Sequence, residues 1–177
     1  SISAKKYGVV TGEPVVNALR KCPHLEMVPP EHHYYERMSQ KLMELLSNYT
    51  PDIEQVSIDE CYMDYSGLRN LFETPEAAAA AIKDKVKEQL GFTVNIGISD
   101  VKVLAKMASD FEKPDKVHTL YKREIQKKMW GLAVSELFMA GKSSVDTLHK
   151  LGIFTIGQLA KSPLAVLESH LKSHGRI

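Results

Sequence analysis

Two adjacent acidic residues are the first feature of this sequence that could support chemistry. Asp59 and Glu60 lie between two short apolar runs. Neighbouring carboxylates at the end of a strand can coordinate a hard divalent cation, and magnesium accepts one or two carboxylates together with substrate phosphates. The pair therefore predicts a magnesium site, although a solvated hairpin tip would carry the same residues.

A lysine followed by proline is the second feature. Lys113, Pro114 and Asp115 lie between a predicted helix and a predicted strand. Because proline restricts the backbone beside Lys113, the ammonium group projects from a defined point and can act as a point charge for a phosphate oxygen. A simple surface turn is the alternative interpretation of this segment.

A glycine-containing turn before a helix is the third feature. It consists of Gly141, Lys142, Ser143 and Ser144. A helix N-terminus presents backbone N–H groups and the positive end of the helix dipole, which suit a nucleic-acid phosphate. The lysine and the two serines add donors. A helical hairpin packed only for stability would contain the same residues.

Hydrophobic periodicity and turn residues predict the elements that position these three features. Helices are predicted over residues 13–21, 34–49, 75–90, 100–110 and 122–130. Strands are predicted over residues 25–28, 53–57, 61–65, 93–98 and 117–120, with Asp59 and Glu60 in a hairpin turn. After Trp130 the chain has only short helical segments separated by glycines, which indicates a small helical subdomain.

The composition is that of an ordinary folded protein. Of 177 residues, 44% are hydrophobic and 25% are charged, which argues against intrinsic disorder. No apolar run of about 18 residues predicts a membrane span, and the first residues lack the apolar segment of a signal peptide. Two cysteines fit a reducing cytosol rather than a disulfide scaffold, and the histidines lack zinc-site spacing.

Charge is distributed unevenly along the chain. The formal net charge is +1, yet residues 26–90 contain thirteen acidic and six basic side chains, while residues 101–130 contain eight basic and four acidic ones. This pattern predicts a metal-binding acidic centre between surfaces for a polyanion. Solvated charged faces would give the same pattern.

In their order and spacing, the three features resemble one family. Residues 57–64 resemble the S-I-D-E-x-Y/F-x-D signature of the Y-family, UmuC-like lesion-bypass DNA polymerases. Residues 4–9 are similar to the fingers motif A-R-K-F/Y-G-V/I. Residues 95–110 are similar to G-I-A/S followed by L-A-K-x-A-S-D, and residues 151–160 to L-G-I-x-T-I-G-x-L-A of the thumb. Residues 113–115 match the motif K-P-D/N-G without its final glycine. Taken together, these matches extend over nearly the whole chain.

The resemblance implies an α/β palm with a mixed, mostly antiparallel sheet over residues 31–120. Partial fingers over residues 1–30 precede it, and an all-α helix-hairpin-helix thumb over residues 121–177 follows. It implies template-directed nucleotidyl transfer past damaged DNA, dependent on two magnesium ions, with manganese as a substitute. The implied partners are primer–template DNA and deoxynucleoside triphosphates in the cytoplasm, with a sliding clamp contacted through regions outside this chain and no membrane.

The family's functional residues map onto positions of this chain by the same resemblance. Asp59 and Glu60 match two metal-binding carboxylates, and Lys113 matches a triphosphate-binding lysine. Lys5 stands where the family usually has a triphosphate-binding arginine, and lysine keeps the charge but loses the bidentate geometry. Residues 141–144 match the thumb turn that holds a DNA backbone.

Several departures from the family pattern affect the expected activity. Ile2 replaces a tyrosine that contacts the triphosphate, and Met139 replaces the first glycine of the thumb hairpin. The D-x-D/N-C/S/A-F/Y motif of the first strand, which supplies another metal carboxylate, and the little finger domain are both missing from the sequence. We therefore expect part of a longer polymerase, with little activity as it stands.

Two other hypotheses remain open. The first is a non-catalytic DNA-binding paralogue or fragment, which would use the basic surfaces without chemistry. The second is a metal-dependent nucleotide cyclase on a palm-like sheet, which the lack of a glycine-rich active-site hairpin disfavours.

Overall fold

Three helices, a strand pair and then helices alternating with strands make up the first 120 residues of the computed structural model, which describes residues 1–172. The last five residues of the predicted thumb lie outside the described part. The helices are α1 (Ile2–Lys5), α2 (Val15–Lys21), α3 (His32–Ser47), α4 (Pro75–Leu90), α5 (Lys102–Ser109), α6 (Ile125–Lys128), α7 (Lys142–Lys150), α8 (Ile156–Ala160) and α9 (Leu164–Leu171). The strands are β1 (Ile53–Gln55), β2 (Cys61–Met63), β3 (Ile96–Ile98) and β4 (Val117–Thr119). Single 3-10 turns cover Ser66–Leu68, Lys122–Glu124 and Val134–Glu136.

The chain divides into two compact units, and the first is Ser1–Glu36. This unit contains α1 and α2, and α2 begins directly after Pro14. The Lys21 ammonium donates hydrogen bonds to the Glu13 carboxylate and the Gly8 carbonyl, both at 2.8 Å, which fixes the loop before α2. The predicted strand over residues 25–28 is wrong. That segment has no ladder partner, Val28 is 82% exposed, and the two prolines after it have no N–H to donate.

The second unit begins at Arg37 and contains the first hydrophobic core. Helix α4 forms as predicted because the Thr74 hydroxyl caps its N-terminus, Pro75 occupies its first turn and Gly91 ends it at a φ of 75°. Helix α3 supplies the opposite side of the core. The fully buried members of this core are Leu42, Leu45, Leu46, Leu68, Ile82 and Val86.

The four strands form two separate pairs. Strands β1 and β2 are antiparallel, with Ile53 opposite Met63, whereas β3 and β4 are parallel, with Ile96 opposite Val117. The parallel pair is connected through α5, as a parallel connection requires a crossover. The expected α/β class followed by helices is confirmed. The expected mixed sheet appears as two pieces because no strand within residues 1–172 hydrogen-bonds to both pairs.

Helix α5 lies directly against β3 at a glycine. A Cβ atom added to Gly97 would lie 1.9 Å from the Ala105 carbonyl oxygen and 2.6 Å from the Ser109 nitrogen. These atoms belong to the helix backbone, which cannot move aside without moving the whole helix. The absence of a side chain at Gly97 therefore sets how closely α5 approaches the sheet.

Two further cores hold the helical part of the chain. The second core joins α5 to Leu120, Met129 and Ile156. The third core consists of Val134, Val145, Leu148, Ile153 and Leu167. Gly157 at the start of α8 packs on Trp130, since an added Cβ would lie 2.9 Å from the tryptophan Cβ and carbonyl oxygen. None of the helices within residues 1–172 has the length and apolar character that a bilayer crossing requires.

We predict that Gly97→Ala destabilises the fold by about 3 kcal/mol, because the added methyl group overlaps backbone atoms of α5. Urea unfolding followed by circular dichroism measures the change. Gly67→Ala is the matched control, because no atom lies within 4 Å of a Cβ added there. Equal effects of the two substitutions would contradict the close approach of α5.

A second prediction concerns Glu124, which accepts hydrogen bonds from the Lys128 ammonium and the Tyr121 N–H, at 2.7 and 2.8 Å. These donors lower the pKa of Glu124 to about 2. The carboxylate stabilises the fold at pH values above its ordinary pKa of 4.5, and this contribution is lost as the pH falls towards 2. Glu124→Gln should therefore be less stable than the wild type by about 1 kcal/mol at pH 6, after allowance for solvent screening.

Urea unfolding of the wild type and of Glu124→Gln between about pH 6 and pH 2.5, the range set by the two pKa values, tests this prediction. The difference in the free energy of unfolding between them should shrink as the pH falls. Glu112→Gln serves as the control, because the Glu112 carboxylate is exposed and paired with Lys116 at 3.3 Å. A stability difference that stays constant over the whole range would refute the assignment.

Candidate active site

The hairpin of β1 and β2 positions the predicted metal-binding carboxylates. The Glu60 carbonyl accepts hydrogen bonds from the N–H groups of Val56 and Ser57, at 2.9 and 3.2 Å, which closes the turn. The Ser57 hydroxyl donates to the Asp59 carboxylate at 2.8 Å. Asp59 is exposed and Glu60 is half-buried. The sequence signature therefore holds two neighbouring carboxylates at the tip of the hairpin, one of them oriented by the serine.

Glu60 forms an ion pair with Lys106, a residue of α5 for which sequence reasoning gave no role. The Lys106 side chain is only 16% exposed, and its ammonium also lies 3.2 Å from the Asp110 carboxylate. Partial burial disfavours the charge on Lys106. The hydrogen bonds that it donates to Glu60 and Asp110 outweigh burial, so the pKa of Lys106 lies above its ordinary value.

Asp110 continues this contact to the second predicted site. Its carboxylate lies 2.7 Å from the ammonium of Lys113. Partial burial would raise the pKa of Asp110, but the hydrogen bonds from Lys113 and Lys106 lower it below its ordinary value. Glu60, Lys106, Asp110 and Lys113 thus form a row of alternating charges, which we call the ion-pair row. The structure brings the acidic hairpin and the lysine loop together through this row.

The four-residue spacing of Lys106 and Asp110 is a sequence signal for part of the row, because opposite charges four residues apart pair on one face of a helix. Lys113 lies beyond the end of α5, so its contact with Asp110 depends on the course of the loop. The contact of Lys106 with Glu60 joins elements 46 residues apart, so it has no such local signal.

Asp115 anchors the loop that carries Lys113. Its carboxylate accepts hydrogen bonds from Lys83 and Lys87 of α4, at 2.9 and 2.8 Å. The hydrogen bonds from Lys87 and Lys83 lower the pKa of Asp115. The Lys113–Pro114 peptide bond is cis, and Asp115 has a φ of 63°. The loop is therefore attached to α4 on one side and to Asp110 on the other, and sequence reasoning had not assigned Asp115 this role.

The predicted DNA-binding turn opens α7. Gly141 is the N-cap residue, Lys142 and Ser143 are exposed, and Ser144 is half-buried. A helix leaves the N–H groups of its first turn without intrahelical acceptors, so this surface has the donors that a phosphate requires. Within residues 1–172, no hydrogen bond or ion pair connects these four residues to the ion-pair row.

Met139 has a left-handed backbone conformation, with a φ of 72°, and the residue is 80% exposed. Glycine adopts this conformation without strain, whereas a side chain disfavours it. This explains why the family pattern has glycine at the position. The methionine keeps the turn but strains its backbone.

Lys5 is the last residue of α1 in the first unit and is exposed. Its predicted contact with a triphosphate stays a prediction. Ile2 begins the same helix and is 64% exposed.

The residues at the hairpin tip fit a magnesium ion as part of its ligand set. Asp59 and Glu60 supply hard oxygen donors, and magnesium completes its octahedral shell with waters and substrate phosphates. No group of three or more histidine, cysteine or acidic side chains within residues 1–172 is arranged to hold a metal ion by itself. The two carboxylates therefore suit a cation shared with a substrate rather than a closed structural site.

A hairpin with paired carboxylates, a crossover helix beside it and the helices that follow make up the arrangement of a palm and a thumb. Residues 1–110 match the impB/mucB/samB family model. The chain belongs to the impB/mucB/samB family, and the Y-family resemblance of the sequence is confirmed.

Relatives named DNA polymerase IV extend this match over the rest of the chain. The protein from Clostridium acetobutylicum is 50% identical over 177 residues, which are 100% of this chain and 44% of that protein. The protein from Moorella thermoacetica is 39% identical over 171 residues, or 97% of this chain and 43% of that protein. The chain therefore spans less than half the length of these curated relatives.

Solved structures also match this chain over nearly its whole length. The crystal structure of DinB from Sulfolobus solfataricus matches with a TM-score of 0.88 at 29% identity, over 99% of this chain and 52% of that one. The insertion ternary complex of Dbh DNA polymerase matches with a TM-score of 0.86 at 30% identity, over 98% and 51% of the two chains. Both likenesses include the helices after residue 120.

We predict that Met139→Gly raises the free energy of unfolding by about 0.5 kcal/mol. The relief of left-handed strain exceeds the entropy that glycine adds to the unfolded chain, and little side-chain packing is lost. Urea unfolding measures the gain. Met139→Ala keeps the Cβ atom and the strain, so it should give no such gain. If Met139→Ala stabilises the fold as much as Met139→Gly, the left-handed backbone of Met139 is not the cause of the gain in stability.

Proposed function

We propose that this chain is the catalytic palm and thumb portion of a translesion DNA polymerase, with partial fingers over residues 1–30. The observation that supports this most directly is the ion-pair row, which connects Glu60 of the family signature to the lysine loop through Lys106 and Asp110. A polymerase requires cation-binding carboxylates and a triphosphate-binding charge within one site. The whole reaction would be template-directed transfer of a nucleotide to a primer 3′-hydroxyl, with release of pyrophosphate.

Asp59 and Glu60 would hold magnesium at the hairpin tip, with manganese as a substitute. When bound, magnesium supplies positive charge that stabilises the attacking and leaving oxygens of the phosphoryl transfer. Asp59 is already oriented by the Ser57 hydroxyl. A carboxylate held in this way loses less rotational freedom when it coordinates a cation.

Lys113 would bind an oxygen of the deoxynucleoside triphosphate as a point charge. Its side chain is 59% exposed, and Asp110 holds it on the side of the acidic hairpin. Lys5 would supply a second positive charge for the triphosphate, as the family resemblance indicates. Lysine offers no bidentate geometry, so both contacts would contribute charge more than orientation.

Gly141, Lys142, Ser143 and Ser144 would hold a backbone phosphate of the primer–template DNA. Donors of this kind read no bases, so binding would be insensitive to sequence and would weaken steeply with salt. With this substrate, the proposed location is the cytoplasm. A sliding clamp would bind through regions outside this chain.

A chimera tests this function. In it, the present chain replaces the aligned segment of the Clostridium acetobutylicum protein, which is 50% identical. We predict that the chimera extends a primer past a template lesion. Asp59→Asn or Glu60→Gln should lower the extension rate at least about 100-fold, because the charge on the phosphoryl oxygens is no longer balanced.

Neither Asp59→Asn nor Glu60→Gln should change the affinity of the chimera for DNA by more than about twofold, because the phosphate contacts of the thumb remain. Glu54→Gln is the control for loss of a nearby carboxylate, since Glu54 lies in the same hairpin and pairs with Lys102. If primer extension survives both Asp59→Asn and Glu60→Gln, the assignment of these carboxylates to a metal ion is wrong. Intact DNA binding without any extension by the unsubstituted chimera would favour the non-catalytic DNA-binding alternative.

A further inference from the structure

The Glu60 carboxylate already has a cationic partner, although the proposed function assigns it to a divalent cation. Lys106 pairs with Glu60 and also lies 3.2 Å from Asp110. The same ammonium group therefore has two anionic partners within reach, one in the proposed metal site and one outside it. Asp110 in turn contacts Lys113, at 2.7 Å.

A second lysine of α5 gives a comparison. Lys102 lies one helical turn before Lys106 and pairs with Glu54 of the same hairpin. The side chains of Lys102 and Glu54 are 60% and 59% exposed, so this is an ordinary surface pair. The Lys106 side chain is only 16% exposed and has two carboxylate partners. The environment of Lys106 is thus specific to the ion-pair row.

We propose that Lys106 is a positioning residue that couples cation binding at Glu60 to the release of Lys113 for the triphosphate. This inference rests on the proposed function and adds an order of events to it. Before a cation is present, Lys106 neutralises Glu60 and holds its carboxylate in place. When the carboxylate turns to a divalent cation, Lys106 is repelled and moves its hydrogen bonds to Asp110.

The shift to Asp110 changes the environment of Lys113. Lys106 and Lys113 contact different oxygens of the Asp110 carboxylate, at 3.2 and 2.7 Å. A closer approach of Lys106 would bring its ammonium group nearer to that of Lys113, and repulsion between the two positive charges would weaken the contact of Lys113. Lys113 is then free to turn towards a phosphate. In this exchange Lys106 keeps Asp110 as a partner and Lys113 replaces Asp110 with a phosphate, so neither lysine ends without an anionic partner, which keeps the cost of the rearrangement low.

Binding of Mn²⁺ to the 177-residue chain, followed by the electron paramagnetic resonance signal of the free ion, tests the first step. Lys106→Met should bind Mn²⁺ about tenfold more tightly than the wild type, because a competing positive charge is removed. Lys106→Arg keeps the charge and should resemble the wild type. Lys102→Met is the matched control and should change the affinity less than about twofold, because its charge is more exposed to solvent.

Equal or weaker Mn²⁺ binding by Lys106→Met would overturn the proposal, because a purely structural lysine would give that result. Circular dichroism of each variant shows whether it is folded. If Lys106→Met does not fold, Lys106→Gln in the same titration replaces it, with the same expectation.

A double-mutant cycle of Glu60→Gln and Lys106→Met on urea unfolding provides the second readout. The two substitutions should be coupled in EDTA, where the ion pair exists, and uncoupled in saturating Mn²⁺, where Lys106 has left Glu60. Coupling of the same size in both conditions would show that the lysine does not move, and would overturn the proposal.

The same titration separates this inference from the proposed function. If Glu60→Gln leaves Mn²⁺ binding unchanged, or if no variant binds Mn²⁺, the metal assignment itself fails. If Glu60→Gln removes binding but Lys106→Met has no effect, only the coupling through Lys106 fails and the polymerase assignment stands.

Discussion

The contact of the α5 backbone with β3 at Gly97 is the constraint on which the site depends. A side chain at this position would overlap the Ala105 carbonyl and the Ser109 nitrogen, so the helix can lie this close only because the residue is glycine. The same helix carries Lys106 and leads to Asp110. Its approach to the sheet therefore decides whether Lys106 reaches the hairpin. The buried face of α5, with Leu104, Met107 and Ala108, then joins the second core and holds the helix in that place.

Charge balance is the second constraint, because the hairpin and the lysine loop gather several charged groups in a small space. Lys106 is mostly enclosed, and burying an ammonium group without partners is strongly unfavourable. The carboxylates of Glu60 and Asp110 offset that cost because they accept the hydrogen bonds of the ammonium group. An apolar set of similar volume would often stabilise the fold as well as these charged groups do. Under the proposed function, the charges are needed near the hairpin because a divalent cation and a triphosphate would bind there.

Local sequence signals predicted most of the elements correctly. The cap at Thr74, the proline after it and Gly91 fixed the ends of α4, and the turn at Asp59 and Glu60 fixed the hairpin. The strand predicted over residues 25–28 failed because apolar residues alone do not supply a ladder partner. The ion-pair row was not predicted, since its central contact joins residues far apart in the chain and depends on the depth at which α5 packs. The glycine preference at Met139 came from the family pattern, and the left-handed backbone there gives its physical reason.

The position of Lys113 follows from two attachments rather than from its own packing. Asp110 holds the ammonium group itself, while Asp115 holds the backbone two residues later through Lys83 and Lys87 of α4. A lysine on a free loop would lose much side-chain and backbone entropy on meeting a phosphate. The attachment at Asp115 removes the backbone part of that loss in advance. The contact with Asp110 is a surface-accessible ion pair, so the loop combines a fixed backbone with an exposed charge, as the proposed triphosphate contact requires.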